Sequence, residues 1–211
     1  LDELDSLIIK VNLFGFHFAS LDVRQNSKIH DAVFKDIYDF YLKSNEDVFP
    51  KNYYDLSEDQ KFEIISTIKG NLNPDDFENE ITRLTIESIK AIKNIQENNG
   101  ELGANRYIIS NNENALNVME AFALIRLTDW ENPTVDVVPL FESVEDLQNA
   151  HNVMEQLYTN PVYANHLSNR EMKQTIMLGF SDGTKDGGYL MANWSIYKAK
   201  EELTNMSRKY G

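Results

Sequence analysis

The chain contains no cysteine among its 211 residues. This absence excludes a disulfide framework, a thiolate metal site and a cysteine nucleophile. It also fits a reducing compartment, and we expect the protein in the cytoplasm. Glycine and proline are scarce, with 9 and 5 residues, which excludes a collagen-like or low-complexity chain. No apolar run approaches the roughly 20 residues of a membrane-spanning helix.

The chain also has few basic residues relative to acidic ones. The chain has 20 Lys and Arg against 34 Asp and Glu, so its formal net charge is −14. Nucleic-acid phosphates and anionic membranes both attract basic surfaces, and neither is expected as a partner here. Hydrophobic residues make up 42% of the chain, with 10 Tyr and 11 Phe, which is enough to bury the core of one ordinary domain.

Strand-like and helix-like segments alternate along the chain. Apolar runs predict four buried strands, at about 11–23, 106–110, 135–140 and 175–180. Helical spacing predicts helices at about 27–43, 57–70, 73–100, 113–127, 143–158 and 186–209, the last of them heavily buried. This alternation is typical of parallel strands under helical cover. Four such units suit a doubly wound sheet or part of a (β/α)8 barrel. A dinucleotide-binding fold is less favoured, because its GxGxxG phosphate turn is absent from the sequence.

Short local signals mark several of the predicted helix ends. Residues 57–60 (SEDQ) form a capping box, in which Ser57 and Gln60 satisfy each other's backbone amides. Residues 143–146 (SVED) resemble a weaker one. Asn73 and Pro74 are typical of a helix start, and Gly100 is typical of a helix end.

Charged side chains follow three of the four predicted strands. Arg24 ends the first strand, Glu142 follows the third, and Asp182 and Lys185 follow the fourth. Ligands of parallel α/β folds bind beyond the carboxyl ends of the strands, so these side chains should converge on one rim. Two carboxylates suit Mg²⁺ or Mn²⁺, and an Arg with a Lys suits an anionic substrate.

The same residues have simpler interpretations. Glu142 or Asp182 could cap the helix that follows it, and Arg24 could belong to a surface ion pair. Residue types and spacing leave these alternatives open. If the two carboxylates share one cation, they must lie within a few ångströms of each other, although 40 positions separate them.

Three stretches together resemble the phosphoenolpyruvate carboxylase family. Residues 14–25 (FGFHFASLDVRQ) are similar to that family's FG…LDxRQ strand, and residues 138–147 (VPLFESVEDL) to its PLFET…DL segment. Residues 177–188 (MLGFSDGTKDGG) are similar to its GYSDSxKDxG loop. The order and spacing of the three match, and the resemblance spans nearly the whole chain. This sequence departs from the family at Phe180 and at Gly183-Thr184, while the charged positions are intact.

The resemblance implies an α/β fold that is a partial (β/α)8 TIM-type barrel. About four parallel strands with long flanking helices would make the chain helix-rich overall. The chain begins with Leu rather than Met and ends directly after a helical pattern, so we interpret residues 1–211 as a single internal segment of the enzyme's barrel domain. The family's catalytic His motif and its Gly- and Arg-rich loops lie outside this segment. We therefore expect the isolated chain to be inactive.

The resemblance also implies the chemistry of the parent enzyme. It places the ligands of Mg²⁺ or Mn²⁺ on Glu142 and Asp182, a substrate-facing guanidinium on Arg24, and a lysine near the bicarbonate site on Lys185. Phosphoenolpyruvate and bicarbonate would give oxaloacetate and phosphate, supplying the tricarboxylic acid cycle in the cytoplasm, and the parent would be a homo-oligomer, a tetramer by resemblance. Two alternatives stay open: another divalent-metal-dependent barrel enzyme acting on a phosphorylated or keto-acid substrate, and a non-catalytic α/β interaction domain.

Overall fold

The computed structural model describes residues 2–44 and 46–211. These residues form eight α-helices: α1 (Asp2–Phe14), α2 (Ser27–Ser44), α3 (Glu58–Thr67), α4 (Glu80–Asn99), α5 (Ala115–Arg126), α6 (Val144–Thr159), α7 (Pro161–Asn169) and α8 (Ser181–Tyr210). They also form four strands: β1 (Asp22–Asn26), β2 (Arg106–Ser110), β3 (Asp136–Phe141) and β4 (Met177–Leu178). None of these helices has an apolar stretch of the length and low charge needed to span a lipid bilayer.

The described strands form one parallel sheet in the order β1-β2-β3-β4. Val23 lies opposite Tyr107 in the next strand, Tyr107 lies opposite Val137, and Phe141 lies opposite Leu178. Each pair of neighbouring strands is joined through helices, as parallel pairing requires. The predicted helix-rich α/β fold, a partial (β/α)8 barrel with four parallel strands, is confirmed.

The two faces of the sheet have different surroundings. Successive side chains of a strand point to opposite faces. One face packs under the helices and belongs to the main core; it presents Tyr107, Ile109, Val137 and Phe141. The other face carries a separate small cluster of Ile108, Val138 and Leu140, with Met177 against it. Glu142 continues the alternation of Val138 and Leu140, so it emerges on this second face.

Both predicted capping boxes are confirmed. The Ser57 hydroxyl accepts from the backbone amide of Gln60, and the Ser57 backbone amide donates to the side-chain oxygen of Gln60. Ser143 and Asp146 form the same reciprocal pair. Gly100 ends α4 with a φ of 92°, a left-handed conformation that glycine adopts without steric cost. The two helix starts are determined by side chains three residues apart and the helix end by one glycine, so the local sequence is enough to locate them.

The predicted helix start at Asn73 is wrong. Asn73 caps only the short 3₁₀ turn Pro74–Asp76, and the chain then becomes extended at Phe77. α4 begins only at Glu80, where the capping residue Asn79 accepts from the amide of Ile81. A second asparagine and proline, Asn160-Pro161, begin α7, which the sequence analysis did not identify.

The predicted first strand at 11–23 is also wrong in most of its length. Residues up to Phe14 belong to α1, and β1 covers only Asp22–Asn26. The aromatic residues at alternate positions 14, 16 and 18 imitate strand periodicity, but Gly15 and Phe18 have φ values of 48° and 62°, which turn the chain. Phe16 is 90% exposed and contributes nothing to the core of the described residues.

The last predicted strand and helix differ from the structure in length and burial. β4 is two residues long, and α8 begins at Ser181, with one interruption at Gly188, where φ is 78°. The prediction that this helix is heavily buried is wrong. It packs on α6 through a narrow stripe that includes Ala192, Ser195 and Ala199, while Leu190 is 82% exposed.

Candidate functional site

Arg24 and Glu142 form an ion pair at the second face of the sheet. Nη2 of Arg24 lies 3.2 Å from Oε1 of Glu142. Arg24 lies opposite Ile108 in the parallel register, and Ile108 belongs to the second-face cluster, so both charged side chains emerge on the same side. The Arg24 side chain is 51% exposed and the Glu142 side chain is 21% exposed.

The second oxygen of Glu142 accepts a hydrogen bond from the backbone. The amide of Asn111, the residue after β2, donates to Oε2 across 3.0 Å. Glu142 does not cap α6, because Ser143 does so. The capping interpretation of Glu142 is therefore wrong, and its carboxylate instead joins the ends of β1, β2 and β3.

Gly179 brings the end of β4 against Glu142. Its amide donates to the carbonyl of Phe141 across 2.7 Å. A Cβ at position 179 would lie 3.1 Å from both Cα and Cγ of Glu142, which is closer than ordinary contacts allow. A Cβ on Gly183 would lie 3.3 Å from the Glu142 carbonyl oxygen. The first turn of α8 thus packs directly on the Glu142 backbone.

Asp182 and Lys185 lie in that first turn and pair with each other. Oδ1 of Asp182 is 2.9 Å from Nζ of Lys185, and both side chains are largely exposed. The hydrogen bond that Lys185 donates to Asp182, and then the charge of the Asp182 carboxylate, raise the pKa of Lys185. The structure thus places Glu142, Asp182 and Lys185 at the carboxyl end of the sheet. Arg24 lies in the middle of β1 rather than at its end as predicted, and its side chain reaches Glu142, so each acid is paired with one base.

The donor chemistry fits a magnesium-type site with few protein ligands. Within residues 2–44 and 46–211, no three His, Asp or Glu side chains are grouped to hold a metal ion by themselves. Mg²⁺ is commonly bound through one or two carboxylates, and water and substrate oxygens complete its shell. Glu142 and Asp182 supply two hard oxygen donors from adjacent strand ends, and the partners of both are exposed cationic side chains.

Sequence reasoning missed the two residues that hold Glu142 in place. Asn111 directly follows the second predicted strand, and Gly179 lies within one of the stretches that resemble the family, but neither residue was assigned a role. The available signals were an asparagine, which tolerates left-handed backbone, directly after a buried strand, and a glycine between a strand and an acidic turn. Neither signal specifies which side chain it will contact.

Comparison with known proteins identifies the family of the chain. The family model described as phosphoenolpyruvate carboxylase matches residues 1–211. A phosphoenolpyruvate carboxylase of Nitrosomonas eutropha is 34% identical over 95% of this chain and 22% of the relative, and one of Synechococcus sp. is 35% identical over 99% of this chain and 20% of the relative. The chain therefore spans about a fifth of the length of these curated relatives. On the match of the family model to the whole sequence, the chain belongs to the phosphoenolpyruvate carboxylase family.

Proposed function

We propose that the full-length protein carrying this chain carboxylates phosphoenolpyruvate with bicarbonate, giving oxaloacetate and phosphate. The chain would be an internal segment of the barrel domain that supplies part of the active-site rim. The observation that carries the proposal is the ion pair of Arg24 with Glu142, beside the helix turn that bears Asp182 and Lys185. Two acids and two bases at one strand-end edge suit a divalent cation together with an anionic substrate.

Glu142 and Asp182 are the residues that would hold Mg²⁺ or Mn²⁺. A bound cation would supply positive charge for the oxygen on which the enolate charge develops. The chain's own contribution is to fix the two carboxylates: Glu142 by the Asn111 amide and the close contact at Gly179, and Asp182 by the first turn of α8.

Arg24 and Lys185 would bind the anionic reactants. The planar guanidinium of Arg24 suits a phosphate or carboxylate group of phosphoenolpyruvate, and the ammonium of Lys185 suits bicarbonate. Exposed ion pairs contribute only about 0–1 kcal/mol, so both bases can leave their carboxylate partners at little cost. Binding of a cation and an anion would then be an exchange of partners within the same four residues.

The proposed reaction proceeds in two stages. A bicarbonate oxygen attacks the phosphorus, the bond from phosphorus to the enol oxygen breaks, and carboxyphosphate and the enolate form. Carboxyphosphate then releases CO₂ and phosphate, and the methylene carbon of the enolate attacks CO₂ to form oxaloacetate. The histidine that handles protons would come from the parent outside this chain, so the 211-residue chain alone would be inactive. We further propose a cytoplasmic, tetrameric parent that supplies the tricarboxylic acid cycle.

The test is product formation by the full-length protein. Phosphoenolpyruvate, bicarbonate and Mg²⁺ should give oxaloacetate and phosphate in equal amounts, and a chelator should stop both. Phosphate released with no oxaloacetate would favour a different metal-dependent enzyme acting on a phosphorylated substrate. The absence of any turnover would favour an interaction domain, and either result would overturn the proposal.

A further inference from the structure

Asn111 has an unusual backbone conformation directly beside the candidate site. Its φ is 54°, in the left-handed region that residues other than glycine seldom adopt and that Asn tolerates better than most. The residue follows β2 at the point where the chain turns toward α5. A strained conformation at such a position requires support from its surroundings.

Hydrogen bonds on both sides hold Asn111 in this conformation. The hydroxyl of Ser27, the buried first residue of α2, donates to the Asn111 carbonyl across 2.5 Å. The Asn111 side-chain amide donates to the Ser27 hydroxyl across 3.2 Å and to Oε1 of Glu113 across 3.1 Å. The backbone of Asn111 is thus tied to α2 and to the residues that lead into α5.

The consequence concerns the orientation of the Glu142 carboxylate. The Asn111 amide donates to Oε2, and the half-exposed side chain of Arg24 donates to Oε1. A cation can displace a flexible exposed side chain, whereas the braced backbone amide stays in place. We propose that Asn111 is a positioning residue, which fixes Glu142 through Oε2 so that Oε1 is the oxygen offered to the divalent cation. This inference rests on the proposed function, in which Glu142 is a metal ligand.

The left-handed backbone, rather than the asparagine side chain, is the essential feature. Asn111→Gly keeps access to positive φ, the N–H and the hydrogen bond from Ser27 to the backbone carbonyl, but removes the side-chain hydrogen bonds to Ser27 and Glu113. Asn111→Val favours the extended backbone and would turn the N–H away from Glu142. Asn111→Ala is a milder change in the same direction as Val. The conservative variant for this position is therefore glycine.

The experiment measures the affinity of the full-length protein for Mn²⁺ alone, by electron paramagnetic resonance. The variants are Asn111→Gly, Asn111→Ala, Asn111→Val and Glu142→Gln, and circular dichroism checks that each is folded. We expect Asn111→Val to weaken Mn²⁺ binding about tenfold. Asn111→Ala should weaken it by a smaller factor, and Asn111→Gly should weaken it less than twofold. In the Glu142→Gln background, Asn111→Val should have no further effect, because the oxygen that it orients is gone.

The outcomes separate this inference from the proposed function. If Glu142→Gln binds Mn²⁺ as tightly as the wild type, Glu142 is not a metal ligand, and both the proposed site and this inference fail. If Glu142→Gln weakens binding but folded Asn111→Val and Asn111→Ala bind as the wild type does, only the inference fails. If Asn111→Gly and Asn111→Val weaken Mn²⁺ binding equally, the effect comes from the lost side chain, and the inference also fails.

Discussion

Nη2 of Arg24 lies 3.2 Å from Oε1 of Glu142, although the two residues are 118 positions apart in the sequence. The parallel sheet accounts for this contact, since Arg24 lies on β1 and Glu142 directly follows β3. The pair is partly exposed, and pairs of that kind are weak in water. Its position at the sheet edge makes each partner available to a charged ligand of opposite sign.

Replacement of Arg24 is expected to weaken substrate binding in the full-length protein. Arg24→Gln removes the guanidinium and should raise the KM for phosphoenolpyruvate at least tenfold, while Arg24→Lys, which keeps the charge without the planar fork, should give an intermediate value. Steady-state kinetics at saturating Mg²⁺ measure the effect. Arg83→Gln, which breaks an exposed pair with Glu87 on α4, is the matched control. An unchanged KM in Arg24→Gln would remove Arg24 from the substrate site.

Gly179→Ala is expected to displace Glu142. The new Cβ would lie 3.1 Å from two atoms of Glu142, both too close, so the carboxylate or the end of β4 must shift. We expect turnover to fall at least tenfold and Mn²⁺ binding to weaken. Gly100→Ala is the control, because its φ of 92° strains alanine while no atom lies within 4 Å of the added Cβ. Equal effects of the two variants would mean that general instability, rather than the contact with Glu142, lowers the rate.

Glu120→Gln is expected to stabilise the protein. Burial raises the pKa of Glu120 well above its ordinary value, and the nearby Asp31 carboxylate raises it further. The unfolded chain ionises this group above about pH 4.5, so the folded state loses stability as the pH rises above that value. Glutamine cannot ionise. We therefore expect the free energy of unfolding of the variant to exceed that of the wild type by about 1 kcal/mol or more at pH 8, and by less at pH 5.

Amide hydrogen exchange in α5 of the full-length protein measures this effect, with variant and wild type compared at the same pH. The control is Glu87→Gln, which changes an exposed glutamate of α4 and should alter exchange little at either pH. Faster exchange in Glu120→Gln than in the wild type at pH 8 would contradict the prediction.

Two buried histidines should weaken the fold in mild acid. Burial lowers the pKa values of His30 and His166 to about 4, with the Arg170 charge as a smaller cause for His166. Both are neutral when folded, and the unfolded chain takes up protons below about pH 6.5, so stability is present above pH 6.5 and is lost as the pH falls toward 4. At pH 5 each histidine should lower the free energy of unfolding by about 2 kcal/mol relative to neutral pH.

The pH effect can be assigned by substitution of His30. Its Nε2 lies 3.0 Å from the hydroxyl of Tyr107 on β2. His30→Gln should lose less β2 amide protection between pH 7.5 and pH 5 than the wild type does, after correction for intrinsic exchange rates. His151→Gln on α6, where the side chain is partly exposed, should behave like the wild type. An identical loss in His30→Gln and the wild type would exclude His30 as a cause.

The parts of the fold that the sequence predicted depend on short-range signals. β2 matches its predicted limits, and both capping boxes are present, because apolar runs and pairs of residues three apart determine them. α1 was not predicted, and β4 is shorter than the strand predicted at about 175–180. In α1 no side chain is buried, so its pattern carries no signal of a core, and the strand-like aromatic alternation beyond it is broken by two left-handed residues.

The sequence indicated which residues make up the candidate site but not which of them contact each other. Arg24, Glu142, Asp182 and Lys185 could be placed at strand ends because parallel strands end at one edge. Their pairing depends on side-chain reach and on the strand register, which no local pattern encodes. The role of Asn111 depends on a backbone angle, and that of Gly179 on a close approach between β3 and β4.

The most direct test of the account is the turnover of phosphoenolpyruvate by full-length Asp182→Asn. The substitution keeps the shape of the side chain but removes the charge that a cation requires, and Asp182 is exposed enough for folding to tolerate it. The matched variant is Asp186→Asn in the next turn of α8, where the carboxylate accepts from the backbone amide of Val144. At saturating Mg²⁺ we expect oxaloacetate formation to fall at least 100-fold in Asp182→Asn and less than threefold in Asp186→Asn, with both proteins folded. A wild-type rate in Asp182→Asn would contradict the central claim.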